Sequence, residues 1–482
     1  MLVVCLSACL ASCNYSVKNA RTVDIYPPLF PDYTGVTIPP NIAPMNFSCM
    51  EEGYERMDVV VKGGREGELH VNALKPCFPI DRWRELVGRN RGDSLSVSVS
   101  IRKAGEWTTY KPFSMYVSRD SIDYGVMYRK IAPGYLGYSN IQFAERNLSN
   151  FEERTLLDNT LVAGMCINCH AMNKSNPENL TFHARGSHAA TVVYRNGKSE
   201  FLNTKTDSTL AHFVYPYWHP SGAYIAYSTN DTRDYFHATA DERQEVYDLA
   251  SDVLVYHPET HRILRSPLLE RVDAFENYPV FSPDGRKLYF TTSPKHSYPD
   301  EYREVRYILC SIDFHPEDGT FGNRIDTLAD ARHLGKSITL PRPSYDGKYL
   351  MLTLIDYGSF SVWHKEADLW LYKVDDGTLR PMNEVNSPDT ESAHNWDSSS
   401  RWFIFCSKRF DGFYTRLYIA RMDEEGNISK PFLLPQEDPW SFYNDGVYSY
   451  SLPDFTDAPI RFSHRSMGEG IRSDKRTQVE LH

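Results

Sequence analysis

Two cysteines and a histidine stand at a spacing that can grip one metal-bearing ring: Cys166-Ile167-Asn168-Cys169-His170. Thiols about one helical turn apart can each add to a vinyl group of a single porphyrin, while the adjoining imidazole reaches the iron. The string therefore predicts one covalent haem c, with Cys166 and Cys169 as thioether positions and His170 as proximal ligand. Two other chemistries use paired cysteines. A redox-active disulfide wants a strand before the pair and a helix after it, and here the helix is expected in front. A zinc site wants a second Cys or His pair at short spacing, and no second CxxC occurs.

The sixth iron position is open among several side chains. His183 leads, because Phe182-His183-Ala184-Arg185-Gly186 is close in sequence yet far enough for a loop to return over the ring. Arg185 beside it would pair with a haem propionate. His237, His188, His212, His219 and Met172 are the alternatives, with His219 expected to be structural because it lies in a repeat turn. A second His would give a low-spin electron-transfer centre, a Met would raise the potential, and a vacancy would admit a ligand.

The elements around this string follow from patterning. Ser149-Asn150-Phe151-Glu152 has capping-box spacing, and Leu156, Leu157, Leu161, Val162 and Met165 form one stripe. A helix running into the Cys pair is expected, within a segment 146–190. Upstream, Leu95-Ser96-Val97-Ser98-Val99-Ser100-Ile101 and Phe113-Ser114-Met115-Tyr116-Val117 alternate as strands do, so residues 45–145 read as a β-sandwich. The Pro-rich residues 14–44 read as a linker. Residues 1–13 read as an export signal ending in Leu10-Ala11-Ser12-Cys13, although no basic residue opens it. Cys49 and Cys77 are candidates for a disulfide in an oxidising compartment, while Cys310 and Cys406 sit in apolar runs that bury such residues.

A repeat fills residues 191–482. Tyr215-Pro216-Tyr217-Trp218-His219-Pro220-Ser221-Gly222, Tyr278-Pro279-Val280-Phe281-Ser282-Pro283-Asp284-Gly285 and Leu340-Pro341-Arg342-Pro343-Ser344-Tyr345-Asp346-Gly347 each precede an apolar strand. A degenerate copy runs from His394 to Ser400. A turn recurring between strands in this way predicts propeller blades. The fold class is therefore mainly β: an N-terminal β-sandwich, a short helical CxxCH segment and a C-terminal propeller. The acidic stretch between Asn230 and Leu249 has no EF-hand spacing and is expected to be a solvated loop rather than a calcium site.

Three resemblances follow from these residues. The blade copies resemble those of TolB-type propellers, over roughly residues 190–425. The Cys166–His170 string resembles c-type cytochromes, which implies the two thioether positions and the proximal ligand. It departs from that family in leaving no room for a free-standing cytochrome domain, so a haem would lean on the propeller or the sandwich. The Leu10–Cys13 string resembles a bacterial lipobox, which implies acylation at Cys13 and a lipid-anchored, periplasm-facing place in the cell envelope.

The formal net charge of −11 and the lack of a basic stripe argue against nucleic acid. No nucleotide-binding Gly-rich loop, nucleophile elbow or HExxH string occurs. The expectation is an exported, lipid-anchored monohaem cytochrome, passing electrons to a redox partner protein in the envelope, rather than an enzyme. A haem-dependent periplasmic oxidoreductase and a non-redox propeller that binds a ligand or assembles the envelope are the alternatives.

Overall fold

A computed structural model describes residues 17–132, 140–237 and 243–481. Cys13 and the rest of the segment expected to be an export signal lie outside the described residues, as do Asp241 and Glu242 of the acidic stretch. The chain divides into two units: residues to Ser121 together with Pro435–Gly446, and Ile122–Leu434 together with Val447–His482.

The first unit is built on a seven-stranded sheet. Its central strand, Ser94–Lys103, pairs with Tyr54–Gly63 on one edge and with Glu106–Thr109 and Phe113–Val117 on the other. Alternation explains the strand: Leu95, Val97 and Val99 are buried while Ser96 and Ser98 are exposed. The second layer is largely the helix Ile80–Arg89, which buries Trp83, Leu86 and Val87. Trp83 stacks on Phe78 at 5.5 Å and donates its indole N–H to the Ile42 carbonyl. The Pro-rich segment is not a linker. Arg21–Thr22 and Thr37–Ile38 each add a parallel edge strand, and Tyr33, Val36 and Ile38 are buried. Its prolines interrupt the ladder, but the residues between them still donate to it.

The second unit is a six-bladed β-propeller. Blade one holds Gly125–Ile131, Ile141–Asn147 and Glu153–Asp158, and its innermost strand, Ser449–Thr456, comes from the far end of the chain. That antiparallel pairing closes the ring. Blade two runs from Cys166–Asn173 to Lys198–Asn203, and blade three from Phe213–Trp218 to Arg262–Leu264. Blades four, five and six begin at Ala274, Ser337 and Glu391. The propeller therefore starts near residue 122, not 191.

The expected helix before the Cys pair is absent. Residues Glu153–Asp158 are a strand, and Asn159–Leu161 make a single 3-10 turn. Ser149 and Glu152 cap nothing: their backbone N–H groups donate to the side chains of Asn147 and Asn150 in consecutive turns. Leu156, Leu157, Val162 and Met165 are buried as expected, but between blades one and two. A cross-strand ion pair, Arg154 to Glu145 at 2.6 Å, holds the strand register.

The repeat turns are where the sequence places them. Gly222, Gly285 and Gly347 have φ of 74°, 73° and 76°, and Ser400 has φ 63°. The corresponding turn of blade two uses Lys174 and Ser175, with φ 47° and 61°. It carries no glycine, which hides it from a search for the repeat.

Candidate functional site

Every innermost strand of the propeller contains the same irregularity. Pairing slips after Asn168, Val214, Asn277, Thr339 and Ser392, and also opposite Met127 in blade one. At each slip one residue takes the left-handed conformation: Cys169, Tyr215, Tyr278, Leu340, Ala393 and Leu452, with φ of 53°, 49°, 51°, 51°, 48° and 51°. These are β-bulges, each re-aiming the strand where it turns along the central channel. The residues that follow are His170, Pro216, Pro279, Pro341, His394 and Pro453. Cys169-His170 is thus the blade-two copy of a feature repeated six times around the ring.

This placement separates the residues expected to act together. Cys166–Asn168 is extended, which sets Cys166 and Cys169 roughly 7–10 Å apart along a strand rather than one helical turn apart. His170 is buried against Phe143 of blade one, with ring centroids 5.0 Å apart. Neither of its ring nitrogens completes a well-formed hydrogen bond. Burial, reinforced by the nearby Arg129 cation, lowers its pKa to about 3, so the ring is neutral.

His183 does not approach His170. On its strand, Phe182 and Ala184 point into the core shared with blade one, so His183 faces the opposite side of the sheet. There its ring lies 4.9 Å from that of His212, and its Nδ1 meets the Thr191 hydroxyl. Burial, with Arg185 and His212 adding to it, holds its pKa well below the ordinary value. His188 pairs with Asp474 at 2.7 Å. Met172 is buried in the apolar core. His219 is structural, as expected: its Nε2 meets the Gly285 carbonyl at 3.1 Å between Phe281 and Phe314. His237 borders the undescribed residues of its hairpin.

These residues as folded do not fit haem c. The His170 nitrogens, near the Met127 and Leu452 backbone but without a well-formed bond to it, resemble a waiting ligand, but the channel cavity beside them measures only about 30 Å³. That admits only water-sized molecules, and a tetrapyrrole needs many times more. Cys166 opens onto a different cavity. Its thiol pKa is raised by burial against the opposing pull of Arg129 and Arg185, so it is protonated at neutral pH and a poor nucleophile. Among the described residues no three His, Cys, Asp or Glu side chains converge as the ligands of a bare metal ion would, a requirement that haem iron does not share. Cys49 and Cys77 stand as free thiols, and Cys310 and Cys406 are buried as expected.

The larger cavity, about 140 Å³, lies at one mouth of the channel. Its wall includes Arg129, Arg185, Lys408 and Trp363, contributed by blades one, two, six and five. Arg129 Nε donates to the Ser451 hydroxyl at 3.0 Å, and the same guanidinium donates to the Asn168 side-chain oxygen. Asp234 is the only carboxylate of this wall among the described residues.

Lys408 is its most unusual member. The residue is 2% exposed, and its ammonium lies 3.0 Å from the centre of the Trp363 ring. Asp389 and Asp411 act on it only at a distance, and burial pushes its pKa well below the ordinary lysine value. Sequence reading passed over Lys408, Arg129 and Trp363. Arg129 lies within a blade-one strand, Trp363 in a loop of blade five and Lys408 just past a blade-six strand, and only closure of the ring brings them together.

No protein-family model and no curated protein matches the sequence. Solved structures with a similar chain path include a puromycin-hydrolysing peptidase of Mycobacterium tuberculosis, at 11% identity and a TM-score of 0.36, over 72% of this chain and 52% of that one. The chain thus spans about half the length of that peptidase. An oligogalacturonate lyase in complex with manganese matches at 12% identity and a TM-score of 0.35, over 78% of this chain and 99% of that one. The β-propeller domain of Cps50 (Swd1) from Myceliophteria thermophila matches at 10% identity and 0.34, over 70% and 93%.

Proposed function

We propose that this chain is a lipid-anchored, TolB-like propeller of the cell envelope that binds a small anionic molecule at the mouth of its channel. The observation that carries the reading is Lys408: a buried ammonium stacked on Trp363, with no carboxylate in contact, in a cavity it shares with Arg129 and Arg185. An amine held out of water without a counter-ion lowers stability. A bound anion would supply the missing partner and recover that loss. A volume near 140 Å³ suits a ligand about the size of benzene or a short organic acid.

The electron-transfer reading rests on the Cys166–His170 string. The blade bulge accounts for the Cys169-His170 half of that string without a cofactor, so the binding reading is preferred. Membrane attachment through Cys13 is retained as part of the proposal, on the Leu10–Cys13 residues alone.

The test is a thermal-shift panel of short mono- and dicarboxylates and small phosphates against uncharged analogues of matched size. Stabilisation confined to the anions, and lost in Lys408→Met, supports the reading. Hits that are neutral or cationic, or that survive the substitution, overturn it.

A further inference from the structure

The mouth cavity holds more than positive charge. Lys408 Nζ meets the Trp363 ring instead of a hydrogen-bond acceptor, with 2% of the residue exposed, and it forms part of the wall of a cavity open to small molecules. Trp363 is itself 8% exposed and packed against Phe413 at 6.0 Å, and the Arg243 guanidinium lies over both rings, so a second cation rather than an acceptor stands near the amine. An amine on a nearly buried residue with no counter-ion in contact gives up its proton more readily and then carries a free lone pair, the condition that makes a lysine nucleophilic toward carbonyls. Arg129, anchored on Ser451, and Arg185 supply cations in the same cavity for an acid group on the same molecule.

We infer that Lys408 captures aldehyde- or keto-acids as an imine, with the acid group of the ligand held by the cationic wall. The balance is simple. The Lys408 nitrogen attacks the carbonyl carbon, a C–N bond forms and the C=O pair becomes a hydroxyl. One amine hydrogen moves to that oxygen to complete the hydroxyl, and loss of the hydroxyl with the second amine hydrogen releases one water and leaves C=N. No oxidant or reductant is consumed, and the step reverses on adding water. The direction of the Lys408 pKa agrees with this chemistry.

This inference rests on the anion-binding reading, and the experiment separates the two. The full chain is incubated with succinic semialdehyde, the imine is trapped with cyanoborohydride, and modified peptides are mapped by mass. Succinate, which has no carbonyl able to form an imine, serves as competitor and as binding control. The expected result is an adduct at Lys408 roughly tenfold above any exposed lysine, suppressed by succinate. In Lys408→Arg, succinate binding persists and that adduct disappears. An unmodified Lys408 in a protein that still binds succinate overturns the capture and leaves the anion site standing. Absence of both adduct and succinate binding overturns both.

Discussion

His364 Nε2 lies 3.1 Å from the Glu245 carboxylate, and both side chains are buried in the propeller. On its other side His364 Nδ1 meets Glu366 at 2.9 Å. Burial opposes a charge on the imidazole, but the hydrogen bonds it donates to Glu245 and Glu366 outweigh it and raise its pKa from 6.5 to about 9. Burial likewise opposes charge on Glu366, yet the bond to His364 wins and lowers its pKa from 4.5 to about 2.

The first prediction follows from these signs. A raised histidine stabilises fully below its unfolded value of 6.5, and the contribution is lost as pH rises through about 9. A lowered glutamate stabilises fully above 4.5 and loses its contribution as pH falls through about 2. The contribution of this pair to stability is therefore greatest between about pH 4.5 and 6.5 and is lost on the alkaline side, by roughly 3 kcal/mol if His364 acts alone. His364→Gln should flatten the alkaline limb of the melting temperature against pH. An unchanged slope in the variant would remove His364 from the explanation.

A second prediction concerns the bulge at Cys169. A left-handed conformation is strained for any residue with a Cβ and worst for a β-branched one. Cys169→Gly should melt close to the wild type, while Cys169→Val should lose about 1–3 kcal/mol. Chemical denaturation of both variants measures the difference. Equal stability of the two would show that the bulge does not hold position 169 in place.

Lys408 sets stability against binding. Lys408→Met should raise the melting temperature of the ligand-free protein, by the equivalent of about 1–3 kcal/mol, because the buried amine is replaced by an apolar chain of similar length. A destabilised variant would mean that the Trp363 contact alone supports the charge.

The cysteine pair gives a fourth prediction, read by eye as well as by spectrometer. Produced in a host that has the c-haem maturation machinery, the protein should be colourless, with Cys166 and Cys169 both recovered as alkylatable thiols. A reversible visible spectrum lost in Cys166→Ala would restore the cytochrome reading.

The sequence showed the propeller most clearly where its turns need glycine. Gly222, Gly285 and Gly347 mark blades three to five because only a residue without Cβ adopts their φ without strain. Blade one and the inner strands of blade two were missed for the converse reason. Lys174-Ser175 turns without glycine, and the Leu156–Met165 stripe satisfies helical spacing while lying in a strand, a 3-10 turn and coil. Closure by Ser449–Thr456 was illegible, since pairing with Gly125–Ile131 spans most of the chain. The Cys166–His170 string reads two ways, because its Cys-His end is shared by a haem site and by a bulge residue followed by a channel residue, and nothing local distinguishes them.

The mouth cavity was illegible altogether, because Arg129, Trp363 and Lys408 are scattered over three blades and carry no common motif. The account stands or falls on what that cavity binds. Calorimetric titration of succinate into the full chain and into Lys408→Met is the direct measurement. The account predicts binding that weakens as pH rises, since the anion needs the protonated amine, and that falls about 10- to 100-fold in the variant. Equal affinity in both proteins, or no binding to the wild type, would contradict it.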